Sequence, residues 1–298
     1  MHKRIPLFTA LILLMVSTHV AGAADIGTNP TSTLKNPSRL EIQVHEWMDM
    51  LSGQPQFHSW KNAVSAIMPI GPGTHGFLVS ISLERRPIGY MIVNATEDGG
   101  YALGEYGVGS HPAFDPDTLY LSLVRQGLIE SYSAAIKKPL RLERLYVHPL
   151  LAVWKWDAAD GQTYYLDAWT GEALPIDNAM WHKQLAAATL KSSGPVQQSA
   201  VKSLSDTRLN DAFDPYETMP WLTQAPLSEA QLGSLSKLLD NKAKIRYTSE
   251  LFDQTVLFVW PMIGYHNWNH QTLYAAFDQM GTRYVPLSAL TGNGSFFQ

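Results

Sequence analysis

The tract Tyr265-His266-Asn267-Trp268-Asn269-His270 gathers more polar and ring-bearing side chains than any other in the chain. Two histidines four residues apart share one face of a helix, and imidazole nitrogens so placed can chelate zinc. No glutamate lies between them, so the zinc-protease signature is missing and His266 and His270 make at most a two-ligand site. The preceding run Val256-Leu257-Phe258-Val259-Trp260 and Pro261 read instead as a strand leading into a loop packed by Trp268. Val108-Gly109-Ser110-His111 lacks the second glycine of a serine nucleophile elbow. Asp157, Asp160, Asp167 and Glu172 could be paired as glycosidase carboxylates. They fall in expected hairpin turns, where aspartate bonds to the backbone of the turn itself. Cysteine is absent, which excludes thiol nucleophiles, thiolate zinc sites and dithiol redox motifs. The reading is therefore of a chain with no catalytic residue, no resident metal and no cofactor.

Nine tryptophans are many for this length. Trp154 and Trp156 stand two apart on an expected strand and so share a face. With Trp268 they are the candidate aromatics for stacking on a sugar ring or gripping a partner. Leu151 and Val153 give that strand no polar opposite face, which favours core packing for the pair.

The elements that must position these residues follow from periodicity. Asn36 and Pro37 are placed to start a helix whose buried stripe is Leu40, Val44, Trp47, Met48 and Leu51, with Gly53 ending it. Strands are expected at 77–81, 88–93 and 101–106, separated by Glu97-Asp98-Gly99-Gly100 and similar turns. Asp115-Pro116 opens a second helix running to about Ile136, stopped by Pro139. Strands at 140–147, 151–156 and 163–168 come next. Residues 181–210 lose periodicity and read as a linker. Ser228 caps a helix through Leu232, Leu235, Leu238 and Leu239, followed by strands near 243–247, 255–260, 272–277 and 282–285. Short turns between neighbouring strands imply antiparallel pairing, so the expected class is α+β: antiparallel sheets packed with helices, in two modules, 36–180 and 211–298.

The N-terminus has the grammar of export. His2, Lys3 and Arg4 precede the apolar run Ile5–Val16, and Ala21-Gly22-Ala23 offers small residues at a cleavage site before Ala24. Residues 1–23 are read as a signal peptide and 24–35 as a flexible leader, giving a secreted or extracytoplasmic protein without a stable membrane span. Apolar residues make up 45% and charged residues only 16%, which suits a packed core. Loss of Lys3 and Arg4 takes the formal charge from −4 to −6, a balance that offers nucleic acid no basic footprint.

Two stretches resemble known families. Pro87-Ile88-Gly89-Tyr90-Met91-Ile92-Val93-Asn94, Ala102-Leu103-Gly104-Glu105-Tyr106-Gly107-Val108-Gly109-Ser110 and Phe114-Asp115 together resemble the inhibitory propeptide of streptopain-type cysteine proteases. Thr163-Tyr164-Tyr165-Leu166-Asp167-Ala168-Trp169-Thr170-Gly171-Glu172 resembles the last hairpin of PepSY modules. The first covers about 30 residues and the second about 10, and the chain departs from the proteases themselves by having no cysteine. The resemblance implies a secreted, non-catalytic binding or regulatory protein, propeptide- or inhibitor-like, whose partner is a secreted protease or a cell-envelope component. The alternative from another class is a cell-wall or carbohydrate-directed hydrolase, or a carbohydrate-binding protein.

Overall fold

The computed structural model describes residues 37–191 and 203–298. The expected signal peptide and leader, and 192–202 of the expected linker, lie outside the described residues. Residues 37–298 group as one compact unit.

Helix α1 (Arg39–Ser52) is closed by a capping box in which Ser38 and Glu41 satisfy each other's backbone N–H groups. The cap is thus Ser38 rather than Asn36, while Leu40, Val44, Trp47, Met48 and Leu51 are buried as their spacing predicts. A 3-10 turn, Pro55–Asn62, buries Phe57 and Trp60. A four-strand meander follows: β1 (Val64–Ile70), β2 (Gly76–Leu83), β3 (Arg86–Ala95) and β4 (Tyr101–Val108). The expected second helix is two, α2 (Pro116–Arg125), capped by Asp115, and α3 (Tyr132–Lys137). Gly127, at φ 70°, takes the left-handed conformation that separates them. Strands β5 (Leu142–His148), β6 (Leu151–Asp157) and β7 (Thr163–Asp167) form a separate three-stranded antiparallel sheet.

The described ends of the expected linker carry helix α4 (Asn178–Lys191) and strand β8 (Leu204–Leu209). Helices α5 (Glu229–Leu232) and α6 (Leu235–Asp240) flank Gly233 and lead into a second meander. Its strands are β9 (Ile245–Leu251), β10 (Val256–Trp268), β11 (Thr272–Asp278) and β12 (Thr282–Pro286). Helix α7 (Leu287–Leu290) and β13 (Ser295–Phe297) follow.

The two meanders join in one sheet, in the order β1-β2-β3-β4-β12-β11-β10-β9-β13, with β8 added to β10. At the seam β4 and β12 pair antiparallel, Tyr106 opposite Tyr284 and Gly107 opposite Arg283. One continuous ladder therefore runs through the stretches read as two modules. One sheet face packs against α1 and the 3-10 turn through Val79, Ile81, Met91, Val93, Tyr106, Tyr274 and Tyr284. The other packs against α2 and β6 beside β2 and β3, and against α4, α6 and α7 beside β9–β12.

Strand β10 corrects the expected strand-then-loop reading. It runs through Pro261 to Trp268. Pro261 pairs only with Arg246 of β9, because pairing to β11 begins at Met262 and to β8 at Gly264. The missing N–H therefore removes no bond from a second ladder. Gly264 has its own reason: a Cβ there would lie 2.0 Å from the Arg208 carbonyl oxygen, so only glycine lets β8 approach.

Candidate functional site

The seam places a polar centre on each face of the sheet. On the α1 face, His266 is fully buried. Its ring stacks on Tyr284 at 4.0 Å between centroids. Its Nδ1 lies 2.8 Å from Tyr106 Oη and its Nε2 lies 3.1 Å from Gln56 Nε2. The Gln56 amide also donates to Tyr284 Oη at 2.9 Å. With that nitrogen donating, Nε2 of the imidazole accepts and its one proton sits on Nδ1, directed at Tyr106 Oη. Tyr106 Oη accepts a second bond from Trp268 Nε1 at 3.0 Å. Burial pushes the His266 pKa down to about 3, so the ring is neutral and both nitrogens are engaged inside the fold.

On the opposite face, Glu105 and Arg283 form a buried ion pair, 2.8 Å between Nη2 and Oε2 and 3.1 Å between Nε and Oε1. The two side chains are 0% and 2% exposed. Tyr90 donates to Oε1 at 2.7 Å and Tyr146 to Oε2 at 2.8 Å. Burial, and then the Glu105 carboxylate, push both phenols well above their ordinary pKa, so they remain donors. Arg283 also donates to Pro149 O and Gln279 Oε1, and its guanidinium lies 3.5 Å from the ring centre of Trp169 and 4.6 Å from that of Trp260. Gly107 makes the room: a Cβ there would meet the Tyr90 ring at 2.5 Å. The pair ties the three-stranded sheet to the ten-stranded one. A single Glu in the apolar run of β4 and a single Arg in that of β12 were the sequence signal, since a charge in a buried strand requires a partner.

The candidate ligands His266 and His270 are not brought together. His270 is exposed in the turn after β10, its Nδ1 3.6 Å from Asp206, whereas His266 is enclosed. Among the described residues no group of three or more His, Cys, Asp or Glu is placed to hold a metal ion. The aromatic candidates are also inside. Trp154 lies edge-on to Phe114 with the Arg144 guanidinium over its ring, Trp156 stacks on Tyr164, and Trp268 is bonded to Tyr106. All three are buried, so none offers an open ring to a sugar. Asp167 accepts from the backbone N–H of Trp169 and Thr170, and Asp160 from that of Gln162, as turn aspartates do. An open groove of about 620 Å³ runs along β7, lined by Tyr164, Leu174, Ile176 and Met180 among others.

The surface feature with the most built geometry is one that periodicity did not single out, the loop 211–226. It is fixed at both ends: Asn210 N–H donates to Ile263 O and Leu227 N–H to Phe296 O. From beneath, Arg246, 3% exposed, donates through Nε to Pro215 O and through Nη2 to Glu217 O, both at 2.8 Å. Lys244 pairs with the Glu217 carboxylate at 2.7 Å. Thr218 and Met219 are held at φ 64° and 36°, left-handed conformations worth about 1–3 kcal/mol of strain each. Pro220 is buried, and Trp221 packs edge-on to Tyr216. Above this support Tyr216, Met219 and Leu222 are exposed. They are three of the nine large apolar side chains that are exposed among the described residues, within seven positions. Three prolines, three aromatics and no periodicity between Asp211 and Pro226 were the available signal.

The chain matches no protein-family model, no curated protein and no solved structure.

Proposed function

We propose that this chain is a secreted, non-catalytic binding or regulatory protein of the protease-propeptide kind, acting after removal of residues 1–23. The observation that carries this reading is the 211–226 loop, which holds exposed apolar side chains on a strained backbone that a buried arginine supports. Exposed apolar groups on a rigid loop lower the ordering entropy of association and so favour recognition. The resemblance to streptopain-type propeptides adds the class of target.

The test uses the chain from Ala24 to Gln298 with a streptopain-type cysteine protease. The expected result is stoichiometric inhibition of casein hydrolysis with the chain left intact. Absence of both inhibition and a calorimetric binding signal would overturn the protease-directed reading. Zinc-dependent turnover of casein or peptidoglycan, abolished by His266→Ala, would replace it with the hydrolase alternative. Mass spectrometry of protein recovered from culture supernatant should give an N-terminus near Ala24; recovery only from membranes with Met1 intact would remove the export part of the proposal.

A further inference from the structure

We infer that the 211–226 loop is the contact surface for a protein partner with an apolar cleft rimmed by Lys and Arg, and that Arg246 is its positioning residue. The inference rests on the binding reading above and names the surface and the partner chemistry. Three observations combine.

The first is the make-up of the loop tip. Tyr216, Met219 and Leu222 stand exposed around the half-buried Trp221. Aromatic residues and methionine are the types enriched at the buried centres of protein interfaces, where they fill pockets on the partner. The second is charge. Asp211, Asp214 and Glu217 are exposed beside the tip, and no Lys or Arg lies between 211 and 226. Lys244 pairs with Glu217, and Arg246, within electrostatic reach of Glu217 and Asp214, is buried beneath them. The exposed rim itself, three carboxylates against Lys244, stays negative. A negative rim disfavours an anionic lipid surface and favours a cleft edged by basic side chains. The third is preorganisation. The Arg246 guanidinium holds the carbonyls of Pro215 and Glu217 from below, and Asp214 Oδ1 accepts the Tyr216 N–H at 2.9 Å. The loop is therefore fixed before contact, as a surface that must enter a cleft requires.

The test places the photo-cross-linking residue p-benzoylphenylalanine at Leu222 of the full chain in the producing cell, with Leu121, equally exposed on α2, as the control position. The expected result is one discrete adduct from position 222 and none from 121. Mass spectrometry should place the cross-link in a partner segment that contains apolar residues flanked by Lys or Arg. With that partner purified, Met219→Asp should weaken binding about thirty-fold, the loss typical of an interface hot spot. Asp211→Asn with Asp214→Asn should slow association and flatten its dependence on salt while leaving dissociation little changed. Arg246→Lys, whose single ammonium nitrogen lacks the fork that reaches Pro215 O through Nε and Glu217 O through Nη2, should slow association with an unchanged salt dependence.

Adducts with a second copy of the chain, with lipid, or with an acidic partner segment would overturn the assignment, as would equal labelling from position 121. Co-sedimentation with phosphatidylglycerol vesicles would do the same. If protease inhibition is found but is indifferent to Met219→Asp, the loop assignment fails and the binding reading stands. If neither inhibition nor any adduct appears, both fail.

Discussion

The sharpest quantitative expectation concerns the ion pair at the seam. Replacing Glu105 with Gln keeps the side-chain shape but leaves Arg283 as a buried cation without its counter-charge. Arg283 would retain Pro149 O, Gln279 Oε1 and the faces of Trp169 and Trp260, all of which are neutral. Breaking one side of a buried pair in this way costs about 3–5 kcal/mol. A domain whose whole stability is about 5–15 kcal/mol would lose about a fifth of it or more. Arg283→Met leaves the carboxylate with two phenol donors from Tyr90 and Tyr146, so its loss should fall at the lower end of that range. The double variant carries no unpaired charge and should be less destabilised than the two single losses together, with a coupling of about 2 kcal/mol or more. Urea unfolding followed by tryptophan fluorescence measures all four corners of the cycle, and Trp169 and Trp260 lie against the Arg283 guanidinium. A loss below about 1 kcal/mol for Glu105→Gln, with additive single effects, would refute the burial argument, because that is how an exposed pair behaves.

Three further expectations follow. His266 is neutral when folded, with a pKa of about 3 against 6.5 when unfolded, so the unfolded chain binds the extra proton. Its contribution is complete above pH 6.5 and is lost as pH falls, at about 1.4 kcal/mol per pH unit until pH nears 3. Stability curves of His266→Gln should lack that slope, whereas His270→Ala should keep it. Gly264→Ala should cost about 2–3 kcal/mol or release β8, because its Cβ meets the Arg208 carbonyl; an unchanged thermal midpoint would contradict the close approach. The fragment 37–180 should fail to unfold cooperatively, because it exposes the β4 edge and leaves Glu105 without Arg283; a sharp transition would support the reading of two modules.

How much of this was legible depended on the range of the forces involved. The stripe of α1, the Asp115 cap of α2, the Ser228 cap of α5 and the hairpin strands are set by neighbours in sequence, and residue pattern revealed them. Strand β8 was hidden because its residues are half-buried or exposed and show no apolar alternation; it is a strand because Gly264 gives it an edge to join. The second half of β10 was hidden by Pro261, whose cost depends on which neighbour pairs there. The seam was hidden because Glu105 and Arg283 are 178 residues apart, and no local pattern matches a buried charge to so distant a partner. The loop at 211–226 was invisible to periodicity because its support, Arg246, comes from the following strand.

The β4–β12 seam also orders events in time. Chain emerging from its N-terminus completes the first meander long before β12 exists. For that interval β4 offers an unpaired backbone edge, and Glu105 lacks its cation. Open edges of this kind recruit other strands, and contacts of such long sequence separation form slowly. The half-made sheet is thus the stage at which the protein is most exposed to mispairing with another copy of itself. Closure of the seam removes the exposed edge of β4 and the unpaired carboxylate in a single step.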